Sequence, residues 1–227
     1  MPQFALIHRQ RSDGIPARPH LQEERTLQRA GHELVAGIDE AGRGAWAGPV
    51  VAGVVMLPSS RAALAKLRGA NDSKLLTANQ REIQRRLIEA HTLAWSVGWA
   101  SNTEIDALGI LPATRLAMMR AVASLAITPH ALLIDAVKLP ALELAQHVFN
   151  YADSISLSVA CASILAKTAR DAMMCDLQHS LPNYGFAAHK GYGTRAHAAA
   201  LAQHGPCWAH RYSFAPIKGR AKDWPTE

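Results

Sequence analysis

The sequence lacks the features that mark several protein classes. No apolar run reaches membrane-spanning length once its glycines, prolines and charges are counted, so no transmembrane helix is predicted. The opening MPQFALIHRQRSDG has no apolar core followed by a small-residue cleavage site, and no secretory signal is expected. Cysteine is scarce. Cys161, Cys175 and Cys207 are an odd number without CxxC spacing, which fits reduced thiols in a cytoplasmic protein. Neither an internal repeat nor a low-complexity linker divides the chain.

What is present is a chain of 227 residues, about half of them apolar, long enough for one substantial core. The formal charge of +6 and pI near 9.5 favour an anionic partner such as nucleic acid. In so basic a chain, carboxylates inside apolar segments stand out. GIDEAGRGAWAGPVVAGVV, Gly37 to Val55, is the clearest case: Asp39 and Glu40 close an apolar strand, and a glycine-rich bend holding Arg43 follows. Charges in a buried strand are costly unless something pairs with them.

The hydrophobic pattern predicts alternating elements. Residues 1–18 are polar and broken by Gly14 and Pro16, a flexible N-terminal arm. LQEERTLQRAG predicts a short helix stopped by Gly31. ELVAGIDE and GPVVAGVVML predict two strands joined as in a hairpin. Thr77 caps a helix, and HTLAWSVGWAS predicts a strand with Leu93, Trp95, Val97 and Trp99 on one face, the tryptophans in the core. Asn102 is placed to cap the next helix, and Pro112 opens another. ALLID ends a fourth strand at Asp135, and HVFNYAD a fifth at Asp153. A long helix with a small-residue face runs through SISLSVACASILAKTARDAMMCDLQHS, and Thr194 caps a short one after a Gly- and Tyr-containing loop. Met118, Met119, Met173 and Met174 are core filler. This alternation predicts an α/β layer fold.

If the strands are neighbours, Asp39, Glu40, Asp135 and Asp153 converge at one sheet edge, where such folds place active sites. Four hard oxygen ligands suit Mg2+ or Mn2+, which can activate water and hold phosphate. The competing reading makes these acids turn residues or helix caps, with Asp153 an N-cap. The glycines do not form a dinucleotide loop, because Pro49-Val50-Val51 after them is strand-like. A tight turn explains the glycines but not Arg43 beside two acids. His204, Cys207 and His210 offer three candidate zinc ligands, one short of a structural site.

GIDEAGRGAWAGPVVAGVV resembles the opening signature of the ribonuclease HII family. DSKLL, LLID, ASILAKTARD, YGFAAHKGYGT and GPCWAHRYSF resemble further family motifs in the same order. The resemblance covers residues 21–216. It implies a ribonuclease H-like fold: a central mixed five-stranded sheet flanked by helices, with additional C-terminal helices, in a catalytic domain at 19–216 followed by a tail at 217–227. It implies hydrolysis of the RNA strand of RNA–DNA hybrids and cutting 5′ of single ribonucleotides in duplex DNA, leaving 3′-hydroxyl and 5′-phosphate ends, in ribonucleotide excision repair. Partners would be those nucleic acids, with no membrane, and the enzyme a monomer.

Carried over by position, Asp39, Glu40, Asp135 and Asp153 resemble the family's catalytic, metal-holding carboxylates, with Mg2+ or Mn2+ as cofactor. Asp171 competes for the fourth place but is expected to pair with Lys167 on a helix face. Gly42, Arg43 and Gly44 resemble the motif that reads the ribonucleotide 2′-hydroxyl, Tyr192 the tyrosine that packs on the neighbouring sugar, and Lys74 a phosphate-contacting lysine. Lys167, Lys190, Arg195 and Arg211 are candidates to line the duplex track. The chain departs from the family at Ala136, where glycine is usual, and at Tyr151-Ala152, where lysine-glycine often stands. A nuclease of this fold acting on DNA alone would not need the glycine-arginine-glycine bend. A catalytically dead hybrid-binding protein would gain by losing the acids.

Overall fold

The computed structural model describes residues 15–218; the expected arm up to Gly14 and the end of the expected tail lie outside them. The strands are β1 (Val35–Ala41), β2 (Val50–Met56), β3 (Ala94–Ala100), β4 (Ala131–Asp135) and β5 (Ala145–Phe149). They form one mixed sheet in the order β3-β2-β1-β4-β5. The helices are α1 (Gln22–Arg29), α2 (Arg61–Lys66), α3 (Ala78–His91), α4 (Asn102–Leu108), α5 (Ile110–Ala123), α6 (Ala152–Ile155), α7 (Leu157–Ser180), α8 (Phe186–His189), α9 (Arg195–His204) and α10 (Ala215–Lys218). Two 3-10 turns, Ser73–Leu75 and Pro182–Tyr184, complete the order.

The chain packs as two units. The first holds the residues up to Asp39, Val54–Trp95 and Ala126–Ile164. Here β1 and β4 pair in parallel with Ile38 opposite Ile134, and β4 pairs in parallel with β5. The next residues, Asp39 and Asp135, therefore stand level on neighbouring strands, near their carboxyl ends. Leu132, Leu133 and Ile134 are buried on both faces, as a central parallel strand requires. The start of α7 lies directly on β1: a β-carbon on Gly37 would overlap the Ser158 backbone. Buried Glu24 fastens that start, its Oε1 accepting from Ser156 Oγ at 2.6 Å, Ser158 N at 2.9 Å and Ser158 Oγ at 2.8 Å. Thr77 makes a reciprocal capping box with Gln80 at the start of α3.

The second unit holds Glu40–Gly53, Ser96–Leu125 and the residues from Leu165 on. Its core gathers Ala47, Met174, Tyr184, Phe186 and Ala209. Met118 and Met174 are fully buried, as expected of core filler.

Three expectations are corrected. Leu93, Trp95 and Trp99 do share a face, but it is the exposed one; Trp99 keeps 51% of its surface. The buried residues of β3 are small, because α5 approaches Gly98 so closely that a β-carbon there would overlap the Ala117 carbonyl. Asn102 does not cap α4. Ser101 does, in a capping box with Glu104, leaving the Asn102 amide to donate to Trp208 O at 2.7 Å. Asp153 does not end β5. The strand stops at Phe149, Tyr151 turns left-handed at φ 61°, and Asp153 lies in the first turn of α6.

Candidate active site

In the first unit a cavity of about 460 Å3 is lined by Asp72, Lys74, Asp135, Ala136, Tyr151 and Asp153, among others. Asp135 arrives at the end of β4, where its Oδ1 accepts from Ala152 N at 3.1 Å and so fixes the start of α6. Asp153, one residue further, is 4% exposed and stands 3.9 Å from the Lys74 ammonium. Tyr151, not Asp153, holds the N-cap position of α6, so the N-cap reading of Asp153 is not realised.

The electrostatics tie these groups together. Burial pushes the Asp153 carboxyl up to about 6; Asp72 and Asp135 add to the rise, and Lys74 opposes it. Lys74 is held above the usual ammonium range. Partial desolvation opposes its charge, but Asp72, Asp153, Asp39 and Asp135 together outweigh that. Asp39, Asp135 and Asp153 therefore lie in the field of one lysine. Asp72 joins them, a residue that sequence reasoning passed over although it opens the DSKLL run. Its Oδ1 accepts from Lys74 N at 2.9 Å and shapes the turn presenting that lysine. Like charges spread apart: among the described residues no three His, Cys, Asp or Glu side chains already stand at metal-coordinating spacing.

Glu40 follows Asp39 near the end of β1. In the second unit it pairs with Arg43 at 3.2 Å. This answers why an arginine sits in the bend: it lies beside a carboxylate three residues back and remains substantially exposed. The two flanking glycines differ. Gly42 has φ 95°, and a β-carbon there would overlap the Arg170 side chain. Gly44 has ordinary φ, and nothing lies within 4 Å of where its β-carbon would be.

Tyr192 is half-buried in the loop before α9. Arg170 lies 5.2 Å and Lys167 5.7 Å from its ring centroid, within cation–π reach. The loop docks on the bend: Trp46 N donates to Gly191 O at 2.8 Å, and Gly193 admits the Trp46 ring. Asp171 pairs with Lys167 at 2.6 Å along α7. Of the candidate track residues, Arg195 is exposed, while Lys190 donates to Cys175 Sγ at 3.0 Å and to Ala187 O. Arg211 is fully buried and cannot line a duplex track from the surface. Cys207 and His210 contact each other, but His204 offers Tyr184 its main-chain oxygen.

The family model for ribonuclease HII matches residues 36–217. The chain is 52% identical to ribonuclease HII of Chloroflexus aurantiacus over 200 residues, which cover 88% of this chain and 94% of that one. It is 50% identical to ribonuclease HII of Desulfitobacterium hafniense over 198 residues, 87% of this chain and 75% of that one. Among solved structures it is similar to ribonuclease H2 from Pyrococcus horikoshii OT3, with a TM-score of 0.70 and 26% identity over 82% of this chain and 96% of that one. The chain belongs to the ribonuclease HII family, endoribonucleases of the ribonuclease H type built on the ribonuclease H fold.

Proposed function

We propose that this endonuclease cuts the RNA strand of RNA–DNA hybrids and cleaves on the 5′ side of single ribonucleotides embedded in duplex DNA, leaving 3′-hydroxyl and 5′-phosphate ends. The observation that supports the reading is the gathering of Asp39, Asp135 and Asp153 around Lys74. Asp39 and Asp135 stand near the carboxyl ends of parallel strands, where sheets of this kind hold substrate.

The donor chemistry fits a hard divalent cation: among the described residues the cavity is lined by carboxylates, with neither thiol nor imidazole. Asp39, Asp135 and Asp153, with Glu40 from the same strand end, are the residues that would hold Mg2+ or Mn2+. Such an ion, when bound, supplies Lewis acidity at the phosphate and a water of lowered pKa. Lys74, with its ammonium largely exposed, would meet a substrate phosphate and neutralise charge beside the acids. Burial favours the protonated form of Asp153 in the metal-free site, so binding of the cation would displace that proton.

Specificity for RNA needs a contact to the 2′-hydroxyl. The bend is suited to it. Arg43 offers forked donors, and the open flank of Gly44 lets a sugar come close to the backbone. Tyr192 would lie against the neighbouring deoxyribose. We take residues 19–216 as the catalytic body, a monomer acting in ribonucleotide excision repair in the cytoplasm.

The test is cleavage of a DNA duplex carrying one ribonucleotide, with Mg2+, with Mn2+ and with excess chelator, the products sized on a denaturing gel and their ends assayed by ligation. Metal-dependent cutting 5′ of the ribonucleotide is expected. Cutting on its 3′ side, or undiminished activity in chelator, would overturn the reading.

A further inference from the structure

Arg170 and Arg211 are both fully buried. A buried guanidinium is tolerated only when its donors are met. Here all six hydrogen bonds given by the two side chains end on main-chain carbonyls. Arg170 donates from Nε to Pro49 O at 2.9 Å, from Nη1 to Lys190 O at 3.0 Å and from Nη2 to Ala47 O at 3.1 Å. Arg211 donates from Nε to Gly48 O at 3.0 Å, from Nη1 to Arg43 O at 2.9 Å and from Nη2 to Pro49 O at 3.0 Å. No ion pair among the described residues includes either arginine. Two forks thus hold the stretch from Arg43 to Pro49 by its carbonyls, and Arg170 ties in the Tyr192 loop through Lys190.

This hold has a consequence for the outer side of the bend. Across a trans peptide the N–H points opposite to the C=O. With the Arg43 carbonyl drawn inward to Arg211, the N–H of Gly44 is turned the opposite way, and nothing lies within 4 Å of where a β-carbon on Gly44 would be. The same arginine pair therefore leaves Arg43 exposed, aims a backbone donor away from the core and sets the Tyr192 ring 5.2 Å from Arg170.

We propose that Arg170 and Arg211 are positioning residues for ribonucleotide recognition, fixing the bend and the Tyr192 loop so that Gly44 N–H and Arg43 meet the sugar–phosphate at a ribonucleotide junction. This rests on the reading of Arg43 and Tyr192 as the junction reader. Lysine keeps the positive charge but cannot satisfy three carbonyls from one planar fork. A displacement of about 1 Å in a positioning group is enough to cost on the order of a hundredfold in rate.

The test compares kcat/KM on a duplex with one embedded ribonucleotide and on a long RNA–DNA hybrid, for the wild type, Arg170→Lys and Arg211→Lys. The ratio of the two is taken within one preparation, so it does not depend on how much of the sample is folded. Both lysine variants are expected to lower the ratio about tenfold or more. Arg43→Ala and Tyr192→Ala serve as controls. If neither control moves the ratio, the junction reading fails. If the controls move it and both lysine variants keep the wild-type ratio, the positioning role is overturned. A second measurement needs no variant: in the wild-type protein with chelator present, the Gly44 amide should gain hydrogen-exchange protection with the ribonucleotide-containing duplex and not with an all-DNA duplex. Equal exchange with both would also overturn the proposal.

Discussion

Gly42 and Arg170 compete for one volume: the Arg170 guanidinium fills the place a β-carbon on Gly42 would take. Gly42 is thus demanded twice, by its φ of 95° and by the buried arginine, whereas nothing inside the protein demands Gly44. Gly42→Ala is expected to destabilise the fold by about 2–4 kcal/mol through strain and overpacking. Gly44→Ala should leave the melting temperature within about 2 °C of wild type, a surface change, yet reduce cutting at an embedded ribonucleotide. Thermal unfolding beside a cleavage assay separates the two. A stable Gly42→Ala, or a fully active Gly44→Ala, would contradict this division.

Asp153 and Asp171 lie on consecutive helices and differ in environment. Asp153 is buried among acids, and its carboxyl rises from 3.8 to about 6. A group whose folded pKa is raised contributes stability that is present below pH 3.8 and lost as pH climbs through 6. Asp153→Asn should therefore raise the stability of the metal-free protein at pH 7 by about 1–3 kcal/mol, while lowering the cleavage rate by orders of magnitude. Asp171→Asn removes one helix-face pair and should cost within about 1 kcal/mol, with near-normal rate. Denaturant melts at pH 4 and pH 7 with a rate measurement decide it; the reverse pattern would move the fourth carboxylate to Asp171.

Much of this architecture was legible because local chemistry and global fold agree. Thr77 announces a helix cap, and the cap forms, with Gln80 completing a capping box. Asp39 and Asp135 stand out as acids closing valine- and leucine-rich runs, and register brings those runs level. Other features needed the third dimension. Alternation says that Trp95 and Trp99 share a face; only the close approach of α5 to Gly98 says that it is the outer one. The positive φ of Tyr151, which ends one element and turns Asp153 into the next, has no signature in a tyrosine. Nor can a sequence tell that, among the described residues, Arg170 and Arg211 are buried with backbone carbonyls as their partners.

Ala136 adopts φ 53° directly after Asp135, and Val137 N donates back to Asp135 O at 2.6 Å, closing a three-residue turn. Left-handed backbone costs a residue with a β-carbon about 1–2 kcal/mol, and glycine escapes that cost at the expense of its own chain entropy. Ala136→Gly should accordingly leave stability unchanged or raise it by up to about 1 kcal/mol. It should also keep or improve the cleavage rate, since the turn orients Asp135. Urea midpoints and single-turnover rates test both. A loss above 1 kcal/mol would mean that the turn is not under strain.

His197 and His210 form a buried pair with Nε2 atoms 3.0 Å apart. The surrounding bonds are satisfied by neutral rings. Cys207 N donates to His210 Nδ1 at 2.9 Å, His210 Nε2 donates to His197 Nε2, and His197 Nδ1 donates to Tyr192 O at 3.0 Å. Burial pushes both rings down to about 4, with each other's proximity adding for His210. For a depressed pKa the stabilisation is present above 6.5 and lost as pH falls through 4. Each ring should cost about 2 kcal/mol across that window after allowance for solvent screening. Asp153 works in the opposite sense over part of the same range, so the net loss is smaller than the two rings alone would give. Because His197 also grips the Tyr192 carbonyl, acid should loosen the Tyr192 loop before the whole fold melts. Imidazole resonances followed by NMR should show neither ring titrating between pH 7.5 and 5.5, and the melting temperature should fall below pH 6. A ring with a midpoint near 6.5, or a melting temperature that rises into acid, would show that the pair is not held neutral.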